Sequence, residues 1–188
     1  MQKYFAVATF VLMIGMVIFR VVSLKKLGID AFKFAKLDKK DLLIPPFAFL
    51  YFYLILAHTF EFPSISSYMI IKNEIIEWIG VALCLFGLTL LVVSIIHFKN
   101  SFRVGIDTKS AGRLITTGVF SISRNPIYVS FGVILAGQFL IYSNPILLAY
   151  VFLGTWLFNR QVILEESYLK QRYGEEYKLY CKKVRRYL

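Results

Sequence analysis

Residues 123–166, SRNPIYVSFGVILAGQFLIYSNPILLAYVFLGTWLFNRQVILEE, hold two apolar runs between two polar clusters. The runs are Ile127 to Tyr142 and Pro145 to Ile163, joined by Ser143 and Asn144. One cluster is Ser123-Arg124-Asn125-Pro126-Ile127-Tyr128; the other begins at Arg160 and closes on Glu165-Glu166. A chain that enters and leaves a bilayer through these runs returns both clusters to one membrane face. Ser143 and Asn144 suit the cap of a helix opened by Pro145. Charges held next to lipid are costly, which marks the clusters as a site rather than a surface.

The rest of the chain follows the same pattern. Its 188 residues are 58% hydrophobic, with a mean hydropathy of +0.65. Three further apolar runs, Tyr4–Leu24, Leu42–Phe60 and Ile75–Phe98, approach or exceed the roughly 20 residues that span a bilayer. The Ile127–Tyr142 run is the shortest and covers roughly 24 Å as a helix. The expected fold is all-α: an integral membrane bundle of five transmembrane helices, with a helical hairpin and a cytoplasmic C-terminal helical segment. It forms a single domain over 1–188, divided into N-terminal spans (1–98) and a polar-cluster half (99–188). The first run exceeds the roughly 7–15 residues of a signal-peptide core and leads directly into Lys25 and Lys26, as in a retained anchor.

Charge sets the orientation. Lys25, Lys26, Lys33, Lys36, Lys39 and Lys40 follow the first run; Lys99, Arg103, Lys109, Arg113 and Arg124 separate the third from the fourth. The tail carries Lys170, Arg172, Lys178, Lys182, Lys183, Arg185 and Arg186, whereas the alternate connections are nearly bare. The positive-inside rule then places the N-terminus outside and the C-terminus in the cytoplasm of a multi-pass protein. The net charge of +11 is accounted for by topology and by attraction to anionic membrane lipids, without nucleic acid.

Several side chains could carry chemistry. Arg160 lies inside the cytoplasmic end of the last run, where a snorkelling cation and a functional one are equally good readings. Glu166 has Lys170 at the i,i+4 spacing, whereas Glu165 has Leu169 there, which makes Glu165 the better carboxylate for a ligand amine. Arg124 reads as an interfacial anchor or a site cation. His97 reads as a structural residue or a neighbour of the site. No metal-ligand spacing, Rossmann glycine pattern or P-loop is present. Cys84 reads as a small core residue. Gly132 and Ala136 form a small-xxx-small pair suited to close helix packing. In the tail a helix is expected to break at Gly174. Around it, Tyr173, Tyr177, Tyr180 and Val184 recur at helical spacing and make one aromatic stripe, on a helix packed at the membrane or on a lid. The polar stretch from Lys99 to Pro126, with Gly105, Gly112 and Gly118, is long enough to be a functional loop.

The ordered set Gly112-Arg113-Leu114-Ile115-Thr116-Thr117-Gly118-Val119-Phe120, Arg124-Asn125-Pro126-Ile127-Tyr128, Glu165-Glu166 and Tyr173-Gly174-Glu175-Glu176-Tyr177 with Tyr180 resembles the isoprenylcysteine carboxyl methyltransferase family. Phospholipid N-methyltransferases and thiol S-methyltransferases look related. The resemblance runs from about Ser101 to the end. It implies a membrane methyltransferase that uses S-adenosylmethionine on a lipophilic small-molecule or lipid substrate, foremost an isoprenylcysteine-like carboxylate. By position it assigns Arg113, Leu114, Ile115, Phe120, Asn125, Pro126, Ile127, Tyr128 and Glu165 to the cofactor. Asn125 stands where the family has histidine, and Val184-Arg185 where it has Val-Pro. The family's substrate-side arginine falls on Gln161, with Arg160 beside it. Arg160 and Gln161 are thus the catalytic candidates, and Arg160, Arg124 and His97 the substrate-binding ones. An NADPH-dependent membrane reductase and a non-catalytic membrane scaffold are the competing readings.

Overall fold

A computed structural model describes residues 1–29, 43–62, 69–98, 101 and 113–188. Lys33 to Leu42, with most of the first basic connection, and the Lys99–Gly112 stretch apart from Ser101 lie outside the described residues. The described chain is helical: α1 (Gln2–Lys26), α2 (Ile44–Phe60), α3 (Glu74–Phe98), a short 3-10 turn (Gly118–Ser121), α4 (Pro126–Tyr142), α5 (Pro145–Tyr173) and α6 (Glu175–Lys183). The five long elements coincide with the five apolar runs. Three of them, α1, α3 and α5, are long and apolar enough to cross a membrane; α2 and α4 are shorter apolar helices of 17 residues each. Large apolar side chains such as Phe19, Phe49, Phe86, Phe152 and Trp156 face outward. A water-soluble protein would bury such a surface, whereas lipid solvates it.

Proline and asparagine set the helix starts. Pro126 and Pro145 open α4 and α5 in the first turn, where the missing N–H costs nothing. Asn144 Oδ1 accepts from the Ile146 N–H at 2.7 Å, capping α5. Ser143 ends α4 at φ 41°. Two residues therefore separate the helices, and these run back along each other: Asn125 meets Glu166, Phe131 meets Phe158, and Leu135 meets Gly154.

The closest helix pair is α3 with α4. A Cβ on Gly80 would stand 2.5 Å from Gly137 O, one on Gly137 2.7 Å from Gly80 O, and one on Gly87 2.6 Å from Ile134 Cγ1. Backbones in contact are what small residues permit between apolar helices. The face differs from the expected one. A Cβ on Gly132 would meet no described atom within 4 Å, so the Gly132–Ala136 pair is not the contact; Ser130, Ile134, Gly137 and Ile141 are. Gly137 lies five residues on from Gly132, roughly 140° around the helix. Cys84 is buried in this seam, as expected of a core residue. On the other side, Phe10, Tyr51, Phe47 and Tyr150 interlock α1, α2 and α5, with Phe10–Phe52 stacked at 4.9 Å and Tyr51–Tyr150 at 5.1 Å.

At roughly 1.5 Å per residue, α5 is about 44 Å long and outreaches a hydrocarbon core of about 30 Å. Its far end carries the second polar cluster. Gly174, at φ 54° and ψ −122°, stops it; that region of backbone space is open essentially to glycine. α6 then folds back, and Tyr177, Tyr180 and Val184 pack against Leu114, Leu169 and Tyr173. The aromatic stripe is buried under the bundle.

Candidate active site

The residues ahead of α4 and the far end of α5 meet, and the C-terminal residues close over them. Glu166 is at the centre. Arg124 Nε and Nη2 reach Glu166 Oε1 at 3.0 and 2.9 Å, Asn125 Nδ2 donates to the same oxygen at 3.1 Å, and Arg186 Nε donates to Oε2 at 2.9 Å. The Arg124 and Glu166 side chains are only 11% and 10% exposed. A carboxylate buried to that extent requires compensation by cations and donors, and it receives both. Burial pulls the Arg124 pKa down, but the Glu166 carboxylate outweighs it, so the guanidinium holds its proton above the ordinary range.

The same residues strap down the tail. Arg124 Nη1 donates to Val184 O at 2.7 Å and to Cys181 O at 3.4 Å, and the Arg124 N–H donates to Arg185 O at 3.0 Å. Asn125 Nδ2 also donates to Arg186 O at 3.1 Å. Tyr187 donates to Asn159 Oδ1 on α5 at 2.7 Å, and the Tyr180 hydroxyl to Phe120 O at 2.6 Å. Burial pushes the Tyr180 hydroxyl pKa up to about 12.

Beside this clasp lies a second carboxylate. Glu165 Oε1 accepts from the Tyr128 hydroxyl at 2.6 Å and from Gln161 Nε2 at 3.4 Å. These two donors help to orient the carboxylate. The Tyr128 ring packs with Phe158 at 6.0 Å, and Phe131 with Phe158 at 5.7 Å, so an aromatic wall borders the carboxylate on its apolar side. Gln161 is 5% exposed, and its Oε1 has no hydrogen-bond partner among the described residues. A buried acceptor left unmatched costs about 1–3 kcal/mol.

The remaining residues singled out in the sequence surround this core. Arg113 is exposed, Leu114 and Ile115 are half-buried, and Leu114 touches the α6 cluster. Phe120 is buried edge-on against Phe98 at 4.9 Å. Pro126 is buried, Ile127 half-buried, and Arg160 half-buried next to Gln161. His97 Nδ1 pairs with Val93 O at 2.8 Å, and its ring covers Gly118. Arg124 and Asn125 spend their donors on Glu166 and the tail. Sequence reasoning paired Glu166 with Lys170 and missed its partners Arg124, Asn125 and Arg186, as well as the bond from Tyr187 to Asn159. The terminal Arg185-Arg186-Tyr187 was the available signal: cations and an aromatic beyond the last helix need an anion and an acceptor.

The fold and site define a helical protein of membrane type with a polar, carboxylate-centred site at one end of its α4–α5 pair. The model of the family described as phospholipid methyltransferase matches residues 75–176, and the chain belongs to that family. The match covers α3, α4, α5 and the whole site except the tail. Among curated relatives, the probable protein-S-isoprenylcysteine O-methyltransferase of Oryza sativa subsp. indica is 26% identical over 126 residues, 65% of this chain and 63% of that protein. Protein-S-isoprenylcysteine O-methyltransferase B of Arabidopsis thaliana is 29% identical over 126 residues, 65% and 61% of the two chains. The Xenopus laevis protein-S-isoprenylcysteine O-methyltransferase is 32% identical over 109 residues, 56% and 38%. The alignment with the rice protein thus spans less than two thirds of that relative. The kinship inferred from the motifs is borne out.

Proposed function

We propose that the chain is an S-adenosylmethionine-dependent membrane methyltransferase acting on a lipophilic acceptor at the cytoplasmic face, with an isoprenylcysteine carboxylate as first acceptor. In this reading all five apolar helices span the bilayer, the N-terminus is outside, and residues 99–188 form the cofactor-binding half. The observation that carries the proposal is the junction of Tyr128 with Glu165 beside the Arg124–Glu166 clasp, within the family-matched segment. The names of the relatives supply the acceptor class.

The residues present fit the cofactor. S-adenosylmethionine carries an ammonium and a sulfonium, and Glu165 offers a carboxylate oriented by the Tyr128 hydroxyl and the Gln161 amide. Bound there, the cofactor would supply an electrophilic methyl group. The protein's part is placement and exclusion of water. Glu165 binds the ammonium, and Tyr128 fixes that carboxylate's rotamer. Arg113, Leu114, Ile115 and Phe120 line the α6 side. Arg124 and Asn125 hold the tail closed through Glu166, which gives Arg124 a positioning role rather than substrate contact. Arg160, Gln161 and His97 remain on the substrate side. An acceptor carboxylate is already ionised at neutral pH and needs no base, which suits a site whose Asn125 cannot titrate.

Calorimetry on purified protein in detergent tests the proposal. S-adenosylhomocysteine is expected to bind, and Glu165→Gln to weaken that binding. Binding of NADPH instead, or of neither nucleotide, would refute it. Methyl-labelled cofactor added to membranes then identifies the acceptor by its labelled product.

A further inference from the structure

The last turn of α6 and the residues after it come back to the bilayer end of α5. Gly174 reverses the chain, and the nine residues of α6 rise roughly 13 Å on the return. Three contacts fix the level reached. Arg124, which pairs with Glu166, also holds the carbonyls of Cys181 and Val184. Arg186 Nε donates to Glu166 Oε2 at 2.9 Å. Tyr187 donates to Asn159 Oδ1, which lies two turns of α5 before Glu166. On either side of Asn159 the outward face of α5 is apolar, with Trp156 and Ile163 exposed. Residues 181–187 therefore sit where the lipid-facing surface of α5 gives way to water, the depth of the headgroups.

The surface presented at that depth is cationic. Residues 182–186 hold Lys182, Lys183, Arg185 and Arg186 with no acidic residue among them. The first three are exposed, and the Arg186 side chain is 42% exposed even with one nitrogen on Glu166. Glu165 and Glu166 are engaged in the site, and Glu175 pairs with Lys178. The stretches outside the described residues carry seven basic and four acidic residues, so on balance they add to the positive field. Beside the cations stands a large apolar side chain. Ile122 is 64% exposed, and its neighbour Ser123 forms the bridge to Arg185. A soluble anion would match only the cations. A phospholipid is already present at this depth and matches both, with its phosphate and its acyl chain.

We propose that residues 182–186 together with Ile122 form a docking surface for anionic phospholipid, and that the bound lipid holds the tail closed. Lys182, Lys183 and Arg185 take the phosphates, and Ile122 enters the acyl boundary. Arg186 joins the lipid to the clasp. A guanidinium has five N–H donors, so with Nε on Glu166 it can still donate to a headgroup phosphate. Anionic lipid and the closed tail then favour each other, as any two events coupled through one side chain must. The inference rests on the proposed membrane placement and uses neither the cofactor nor the acceptor.

Hydrogen exchange of the backbone amides of residues 175–188 reads tail closure. The full chain is placed in nanodiscs of phosphatidylcholine alone, or of equal parts phosphatidylcholine and phosphatidylglycerol. Exchange is expected to be about tenfold slower in the anionic discs, less than three cations at such a surface could supply. High salt should abolish the gain. Lys182→Gln, Lys183→Gln and Arg185→Gln together should remove it, whereas Lys25→Gln with Lys26→Gln, at the end of α1, should keep it. Equal exchange of the wild type in the two discs would overturn the proposal without any variant. A gain that survives the triple substitution, or that both variants lose alike, belongs to the general surface potential and overturns it too. Glycerophosphoglycerol, the headgroup without acyl chains, should not protect the tail in phosphatidylcholine discs. Protection as large as that given by the lipid would make this a site for a soluble phosphate and overturn the lipid assignment.

Discussion

Arg124 Nη2 stands 2.9 Å from Glu166 Oε1, and this one ion pair joins the residue that leads into α4 to the far end of α5. Both side chains are about nine-tenths buried. The same guanidinium holds Val184 O and Cys181 O, so the pair also fastens the tail.

Breaking such a pair from one side leaves a buried charge uncompensated, a cost of about 3–5 kcal/mol. Arg124→Ala and Glu166→Gln should each lower the unfolding temperature in detergent and expose the tail to trypsin at Lys182 and Lys183. The double variant should lose less than the sum of the two. Full additivity in a double-mutant cycle would show that the residues do not act as a pair.

Alkaline release of the tail follows from Tyr180. Burial raises its folded pKa to about 12, against roughly 10 in an unfolded chain. The phenol is stabilised in its neutral form, so its contribution is complete below pH about 10 and is lost as the pH climbs to about 12. Tyrosinate absorbance and tail proteolysis should rise together in that window. Tyr180→Phe should show no such coupling and should already be more labile at neutral pH, having lost the bond to Phe120 O. A Tyr180 that ionises near pH 10 with the tail still protected would contradict this.

Gly118 and His97 form a second tight contact. Gly118 has φ +64°, and a Cβ there would lie 2.0 Å from His97 Cδ2. Gly118→Ala should cost roughly 1–2 kcal/mol from the backbone alone, with the clash added. His97→Ala in the same chain should recover the clash and not the backbone cost. Thermal unfolding of the two single variants and the double separates the contributions. Complete rescue would mean that the φ requirement is not real.

These contacts show what the sequence could and could not reveal. Apolar run lengths, Pro145, Asn144 and Gly174 located the α4–α5 turn and the end of α5, because each acts through local backbone chemistry. The convergence of the Arg124 and Glu165 clusters was legible too, since a two-residue connection leaves α5 little choice but to return along α4. Partner choice was not. Glu166 bonds residues 42 and 20 positions away in the chain, and local spacing offered only Lys170. Likewise α4 carries Ser130, Gly132, Ala136 and Gly137 on different sides, and sequence gives no azimuth. The backbone of α3 at Gly80 selects Gly137.

Tyr128 offers the sharpest probe of the proposed cofactor contact. Its hydroxyl donates to Glu165 Oε1 at 2.6 Å, and the ring is held by Phe131 and Phe158. Tyr128→Phe removes the donor while keeping the ring, so folding should change little. A hydrogen bond to a charged group contributes about 1.5–3 kcal/mol. If it serves to aim the carboxylate at an ammonium, S-adenosylhomocysteine affinity should fall roughly tenfold, and Glu165→Gln should lower it further. In the double variant, losing the hydroxyl should cost almost nothing more, because there is no longer a carboxylate to aim. Calorimetry on the four proteins measures that coupling. A Tyr128→Phe loss of the same size with and without the Glu165 charge would show that the tyrosine acts on the ligand directly, and the carboxylate would then need another explanation for its place.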